Sequence, residues 1–128
     1  MKNLLYILAL SFLTLSCEKQ TYKLNDEITI EFDKSVFVLI DDKKTEIKFE
    51  KLVEESRCPP DVTCVWAGQV IVKIKVDNTT VFELGLLTET PPNTVDYLSH
   101  KITLLEVNYD KKDNFGKEKH SSIKLIVE

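Results

Sequence analysis

The sequence predicts an all-β fold: a small antiparallel β-sandwich of immunoglobulin-like or related Greek-key topology, with a small closed β-barrel as the alternative architecture. Three observations predict it. Apolar residues alternate with polar ones in seven or eight short segments, polar turn residues separate those segments, and no stretch after residue 17 carries a convincing helical stripe. Ile28, Ile30 and Phe32 alternate with Thr29 and Glu31, which puts the apolar side chains on one face of a half-buried strand. Residues 36–40 (VFVLI) are continuously apolar and β-branched at Val36, Val38 and Ile40, the pattern of a strand covered on both faces. In residues 45–53, Ile47 and Phe49 alternate but Leu52 and Val53 break parity. These four make a poor helical stripe, so a strand with a bulge near Lys51 explains them better than a short helix starting at Thr45. Val70, Val72, Ile74 and Val76 give the clearest alternation, with Lys73 and Lys75 on the opposite face. Asp77-Asn78 offers a tight turn into residues 79–87, where Phe82, Leu84 and Leu86 keep the period, so the pair predicts a β-hairpin. Pro91-Pro92 bar residues 88–94 from a central strand. Ile102 and Leu104, then Leu105, Val107 and Tyr109, describe a long strand whose face switches at the Leu104-Leu105 step. Residues 110–120 (DKKDNFGKEKH) read as a charged, solvated loop, and Ile123, Leu125 and Val127 supply the last strand.

A chain of 128 residues with 43% hydrophobic side chains can build one domain with a modest core, not two. Its net charge of -4 argues against a nucleic-acid binder, which needs a clustered basic face. That charge is unevenly placed. The first 16 residues hold a single charge, Lys2, followed by an apolar run over residues 4–15 interrupted only by Ser11 and Thr14. As a helix this run spans about 18 Å, short of the roughly 30 Å hydrocarbon core of a bilayer. With Lys2 before it and the small Ser16 after it, it reads as a secretory signal peptide. Thr14-Leu15-Ser16-Cys17 resembles a bacterial lipobox, in which the cysteine thiol is acylated with diacylglycerol before a peptidase cuts in front of it. The resemblance implies a mature chain that begins at a lipid-bearing, palmitate-type Cys17, whose acyl chains hold the domain on a membrane without a spanning helix. The expected organisation is therefore a signal peptide over 1–16, the lipidated cysteine and a polar tether over 17–26, and a β-domain over 27–128 of net acidic charge. The expected location is the bacterial cell envelope, at the outer membrane on its periplasmic or surface face. The expected partners are that membrane, through the N-terminal lipid, and an envelope protein.

Residues 56–68 (SRCPPDVTCVWAG) concentrate half of the prolines, two of the three cysteines, the only arginine and the only tryptophan. With Cys17 committed to lipid, Cys58 and Cys64 form an even pair in an oxidising compartment, which predicts a disulfide between them. The chain-entropy model makes a ring of this size worth about 2.4 kcal/mol. Pro59 and Pro60 fix φ inside the ring and remove two backbone donors that so small a loop could not satisfy. Two roles for this rigid, outward-facing loop compete. In the structural one it staples the start of a strand, Trp66 covers an edge of the core and Gly68 allows a close backbone approach. In the recognition one, Arg57, Pro59, Pro60, Asp61 and Trp66 form a protein-recognition surface of protease-inhibitor type, because rigid aromatic and arginine groups are typical interface anchors.

Chemistry finds little support. Two cysteines and two distant histidines are too few for a metal site, and C-x5-C is not the redox C-x-x-C spacing. Glu54, Glu55 and Asp61 lack the spacing of a calcium loop and read as ordinary surface acids. His100 and His120 read as solvated surface residues, and neither a G-x-S-x-G motif nor a phosphate-binding glycine loop is present. The expectation is a non-enzymatic protein without cofactor. Finally, Ser56-Arg57-Cys58-Pro59 followed by Val62, Cys64, Trp66, Ala67 and Gly68 resembles a segment of small Bacteroidota-type lipoproteins, with Glu55 where Asp is usual. The likeness covers about thirteen residues together with the layout of signal, lipid cysteine and β-rich body. It implies an envelope location and a β-fold, with a binding or structural role, and it carries over no catalytic residue.

Overall fold

Each alternating segment becomes a strand whose apolar half faces a second sheet. The computed structural model describes residues 18–66 and 68–128; Cys17 and the signal segment lie outside them. The strands are β1 (Thr21–Tyr22), β2 (Glu27–Glu31), β3 (Ser35–Ile40), β4 (Lys43–Glu55), β5 (Val70–Val76), β6 (Thr80–Leu86), β7 (Thr94–Tyr97), β8 (His100–Tyr109) and β9 (Ser121–Val127). One sheet has the order β1-β3-β4-β5-β6 and the other β2-β9-β8-β7. All pairs are antiparallel except β1 with β3. The fold is the expected sandwich of two open sheets and not the closed barrel. Its core is one cluster drawn from both sheets, with Ile28, Val38, Phe49, Ile74, Leu104 and Leu125 fully buried within it.

The turns follow from side chains that tolerate left-handed backbone. Asp41 and Asp42 between β3 and β4 have φ of 50° and 63°, and Asp77 and Asn78 between β5 and β6 have 51° and 57°. Asp and Asn pay least for this conformation after glycine. The broken parities become bulges. The β4–β5 register shifts between Phe49 and Lys51 and again between Leu52 and Glu54, and the β8–β9 register shifts between Leu104 and Glu106. Each shift keeps apolar residues on the core face after the alternation slips.

The structure departs from the sequence-based expectation in three elements. The polar stretch before residue 27 is mostly part of the domain rather than a free tether. Thr21 and Tyr22 pair with Phe37 and Val38, the Phe37 amide donates to the Gln20 carbonyl at 2.9 Å, and the Asn25 amide donates to the Val127 carbonyl at 2.8 Å. An edge strand of this kind needs only backbone groups, so side-chain periodicity does not announce it. β3 faces the core on one side only, with Val36, Val38 and Ile40 buried and Phe37 and Leu39 half-buried on the outside. β7 follows the two prolines, short and at the edge of its sheet, where no central-strand pattern is required.

Strand direction sorts the connections into two ends. Connections 32–34, 56–69, 87–93 and 110–120 lie at one end; 23–26, 41–42, 77–79, 98–99 and the C-terminus lie at the other. No helix among the described residues is long and apolar enough to cross a membrane.

Candidate functional site

The segment singled out by composition sits at the end of β4, where the second bulge sets the direction of the last residues. The Cys58–Cys64 disulfide is formed, with the two Cα atoms 5.8 Å apart. The base of the loop is closed by the Ser56 amide, which donates to the Gln69 carbonyl at 2.9 Å, and by the Gln69 amide, which donates to Ser56 Oγ at 3.0 Å. A Cβ on Gly68 would run into the Ser56 carbonyl, so the close backbone approach expected at this glycine is present.

Arg57 does not face outward. Its Nε donates to Glu55 Oε1 at 2.8 Å and its Nη2 to Glu55 Oε2 at 2.5 Å, while its backbone amide donates to Oε1 at 3.1 Å. Nη2 also donates to the Val107 carbonyl at 3.0 Å, and the Tyr109 hydroxyl donates to Glu55 Oε2 at 2.7 Å. The Glu55 carboxylate is only 4% exposed and accepts four hydrogen bonds. Phe115 packs over this cluster, 5.2 Å from the Tyr109 ring and 5.9 Å from the guanidinium carbon. The hydrogen bond to Glu55 raises the Arg57 pKa against the opposing effect of burial. Burial first, and then the hydrogen bond to Glu55, push the Tyr109 phenol well above its ordinary 10.0. The expected presentation of Arg57 is thus corrected. The carboxylate two residues back captures it as a bidentate pair, and a tyrosine on β8 donates to that same carboxylate.

The large apolar side chains of the loop are exposed. Val62 is 56% exposed, Val65 94% and Trp66 64%. Trp66 therefore does not cover an edge of the core. The loop projects beyond the strand ends from its Ser56–Gln69 base, and the tryptophan goes with it. Pro59, Pro60 and Asp61 are exposed as expected, with Asp61 3.3 Å from Lys112 Nζ across to the neighbouring loop. Arg57, Pro60, Val107, Tyr109, Lys112 and Phe115 border an open hollow of about 260 Å³.

The neighbouring 110–120 loop is more ordered than a solvated run. It contains two 3-10 turns, Lys112–Asn114 and Glu118–His120, with Gly116 at φ 77° between them. Glu118 turns inward, its Oε2 accepting from the Leu52 amide at 2.8 Å, a donor within the irregular stretch of β4. Asp110 bonds His120 at 2.8 Å, while Lys111, Lys112, Lys117 and Lys119 stay exposed. His100 lies at the other end, its ring nitrogens 3.2 Å from Asp41 Oδ1 and from the Glu128 carbonyl, so it is packed rather than freely solvated. Glu54, Glu55 and Asp61 do not converge. Glu54 accepts from Gln69 Nε2 at 2.8 Å and from Ser56 Oγ at 3.3 Å, Glu55 binds Arg57, and Asp61 pairs with Lys112.

Sequence reasoning found the loop and the disulfide but missed Glu55, Tyr109, Phe115 and Glu118 as its supports. The one available signal was Phe115, the single aromatic inside a charged run. Fold and surface together define a small two-sheet β-sandwich bearing a disulfide-closed loop with an apolar crown. No family model matches the chain, and no curated protein or solved structure is significantly similar to it.

Proposed function

We propose that the protein is a bacterial envelope lipoprotein, held to a membrane by acyl chains on Cys17, whose β-sandwich has a binding or structural role and no catalytic one. The observation that carries this reading is the state of the Glu55–Arg57–Tyr109 cluster. These groups come closest to a chemical constellation, and the Glu55 carboxylate at its centre is already committed to Arg57 and Tyr109. What remains for contact at this end is the apolar crown and the lysines beside it. Recognition of a protease-like cleft through Arg57 loses its main group. The disulfide loop keeps a role as a contact element through Val62, Val65 and Trp66. The test of the anchor is metabolic labelling with a palmitate analogue. Wild type incorporates the label and Cys17→Ala does not; equal labelling overturns the assignment.

A further inference from the structure

Of the strands at the sheet edges, β6 is the one that is both long and unguarded. β1 and β7 have two and four residues, and β2 carries a glutamate at each end. β6 runs over seven residues without a proline, with a single charge, Glu83, and with no bulge against β5. Edges are ordinarily blunted by charge, proline or a bulge. The direction of its backbone groups follows from two bonds. The Gly85 amide donates to the Pro92 carbonyl, away from β5, and the Asp77 amide donates to the Glu46 carbonyl, away from β6. In an antiparallel strand the N–H and C=O of one residue point to the same side, and the side alternates along the chain. Thr80, Phe82 and Leu84 therefore bond β5, while the amides and carbonyls of Val81 and Glu83 face outward with no partner among the described residues. The Val81 side chain is 45% exposed.

We propose that β6 pairs with β6 of a second copy, antiparallel about a two-fold axis at Phe82, joining the five-stranded sheets of the two copies edge to edge. In that register Val81 stands opposite Glu83 of the partner subunit and Glu83 opposite the partner's Val81, so each free amide meets a free carbonyl. The side chains suit this occupant row by row. On the solvent face Lys75 and Val81 are followed by the partner's Glu83 and the partner's Lys73, so no like charges stand opposite one another. The pair of Lys73 and Glu83 within one copy, 3.7 Å apart, is kept. On the other face the half-buried Phe82 meets the partner's Phe82 at a non-hydrogen-bonded position, where Cα atoms approach to about 4.5 Å and an aromatic pair is favourable. The same operation fails on β2. The Phe32 amide turns to the Ser121 carbonyl beside β9, so Glu27, Thr29 and Glu31 face outward, and a two-fold axis at Thr29 sets Glu27 opposite the partner's Glu31. The pairing stands independently of the lipid anchor.

The experiment uses the full chain as the cell processes it, extracted in a mild non-ionic detergent with micelles in excess over protein. Sedimentation over a wide range of concentration is expected to show monomer passing to dimer. Val81→Pro removes one outward N–H and leaves the bonds to β5 in place, so it should keep the wild-type circular dichroism spectrum and dimerise at least about tenfold more weakly. Thr29→Pro makes the same change on the edge of β2 and should dimerise like wild type. Hydrogen exchange reads the interface without any substitution. The Val81 and Glu83 amides should exchange fast in dilute wild type and become protected as the dimer forms, while the Thr29 amide stays fast throughout. A chain that is monomeric at every concentration overturns the proposal. So does a dimer whose Val81 and Glu83 amides stay fast, or a folded Val81→Pro that associates as tightly as wild type; if that variant does not fold, the exchange of wild type decides. Protection of these amides in dilute protein only after envelope extract is added overturns the second copy as occupant and identifies a foreign strand instead.

Discussion

Glu55 sits where three segments meet: the end of β4, the disulfide loop through Arg57, and β8 through Tyr109. Removing its carboxylate leaves a guanidinium, 21% exposed, with the Val107 carbonyl as its remaining acceptor, and a tyrosine hydroxyl without its partner. Glu55→Ala is therefore expected to lower stability by about 2–4 kcal/mol, below the limit for a fully buried pair because Arg57 keeps some solvent. Urea unfolding of Glu55→Ala against Glu55→Gln, which retains acceptor geometry without the charge, checks this; the glutamine variant should lose less. Tyr109 adds a pH signature. Its folded pKa lies above the unfolded value of about 10, so the folded state holds the proton longer. Its contribution is fully present below about pH 10 and is lost as pH rises further, toward the folded pKa. Thermal melts of wild type should accordingly fall more steeply above pH 10 than those of Tyr109→Phe. Leu98 shows the opposite kind of residue effect. It turns the chain between β7 and β8 at φ 53° while 71% exposed, a conformation costly for leucine and cheap for asparagine. Leu98→Asn should raise stability by about 1 kcal/mol, measurable as a higher urea midpoint. At this scale the cysteine pairing was legible from counting. The orientation of Arg57 was not, because it depends on a tyrosine fifty-two positions along the chain and on bulges that redirect the end of β4.

Among the elements, β4 shows most clearly what a sequence pattern carries and what it leaves open. Its slipped parity at Leu52 and Val53 announced a bulge, and the register shifts fall there. The pattern could not announce what satisfies the Leu52 amide, because its acceptor Glu118 lies 66 residues away in a loop whose composition reads as solvated. A buried donor without a partner costs roughly 1–3 kcal/mol. Since Leu52 is only half-buried, Glu118→Ala should fall in the lower part of that range. Hydrogen exchange adds a local reading: the Leu52 amide should exchange much faster in Glu118→Ala, while amides in the centre of β5 keep their protection. Unchanged exchange at Leu52 would mean that the loop does not hold the bulge. β1 and β7 were missed for a related reason. Edge strands of two and four residues are secured by neighbouring backbone, and neither is long enough for alternation to register.

For the molecule as a whole, alternation was enough to foresee two stacked sheets, because burying one face of each strand is the only use for such a pattern. Strand order and the sorting of loops to the two ends were not foreseeable from periodicity, which is blind to which strand lies beside which. That sorting also changes the part assigned to the disulfide. A short β-domain invites the idea that the bridge compensates for a lean core, yet Cys58 is exposed and Cys64 only partly buried, and neither belongs to the core cluster. The two contributions should therefore separate. Replacing both cysteines, Cys58→Ser with Cys64→Ser, removes the constraint on the unfolded chain and is expected to lower stability by about 2.4 kcal/mol. The sandwich should remain folded, because the sheets close on one another without the ring. Hydrogen exchange of the double variant should show strand amides still protected and protection lost across residues 56–69. A double variant that unfolds outright would place the bridge among the determinants of the fold.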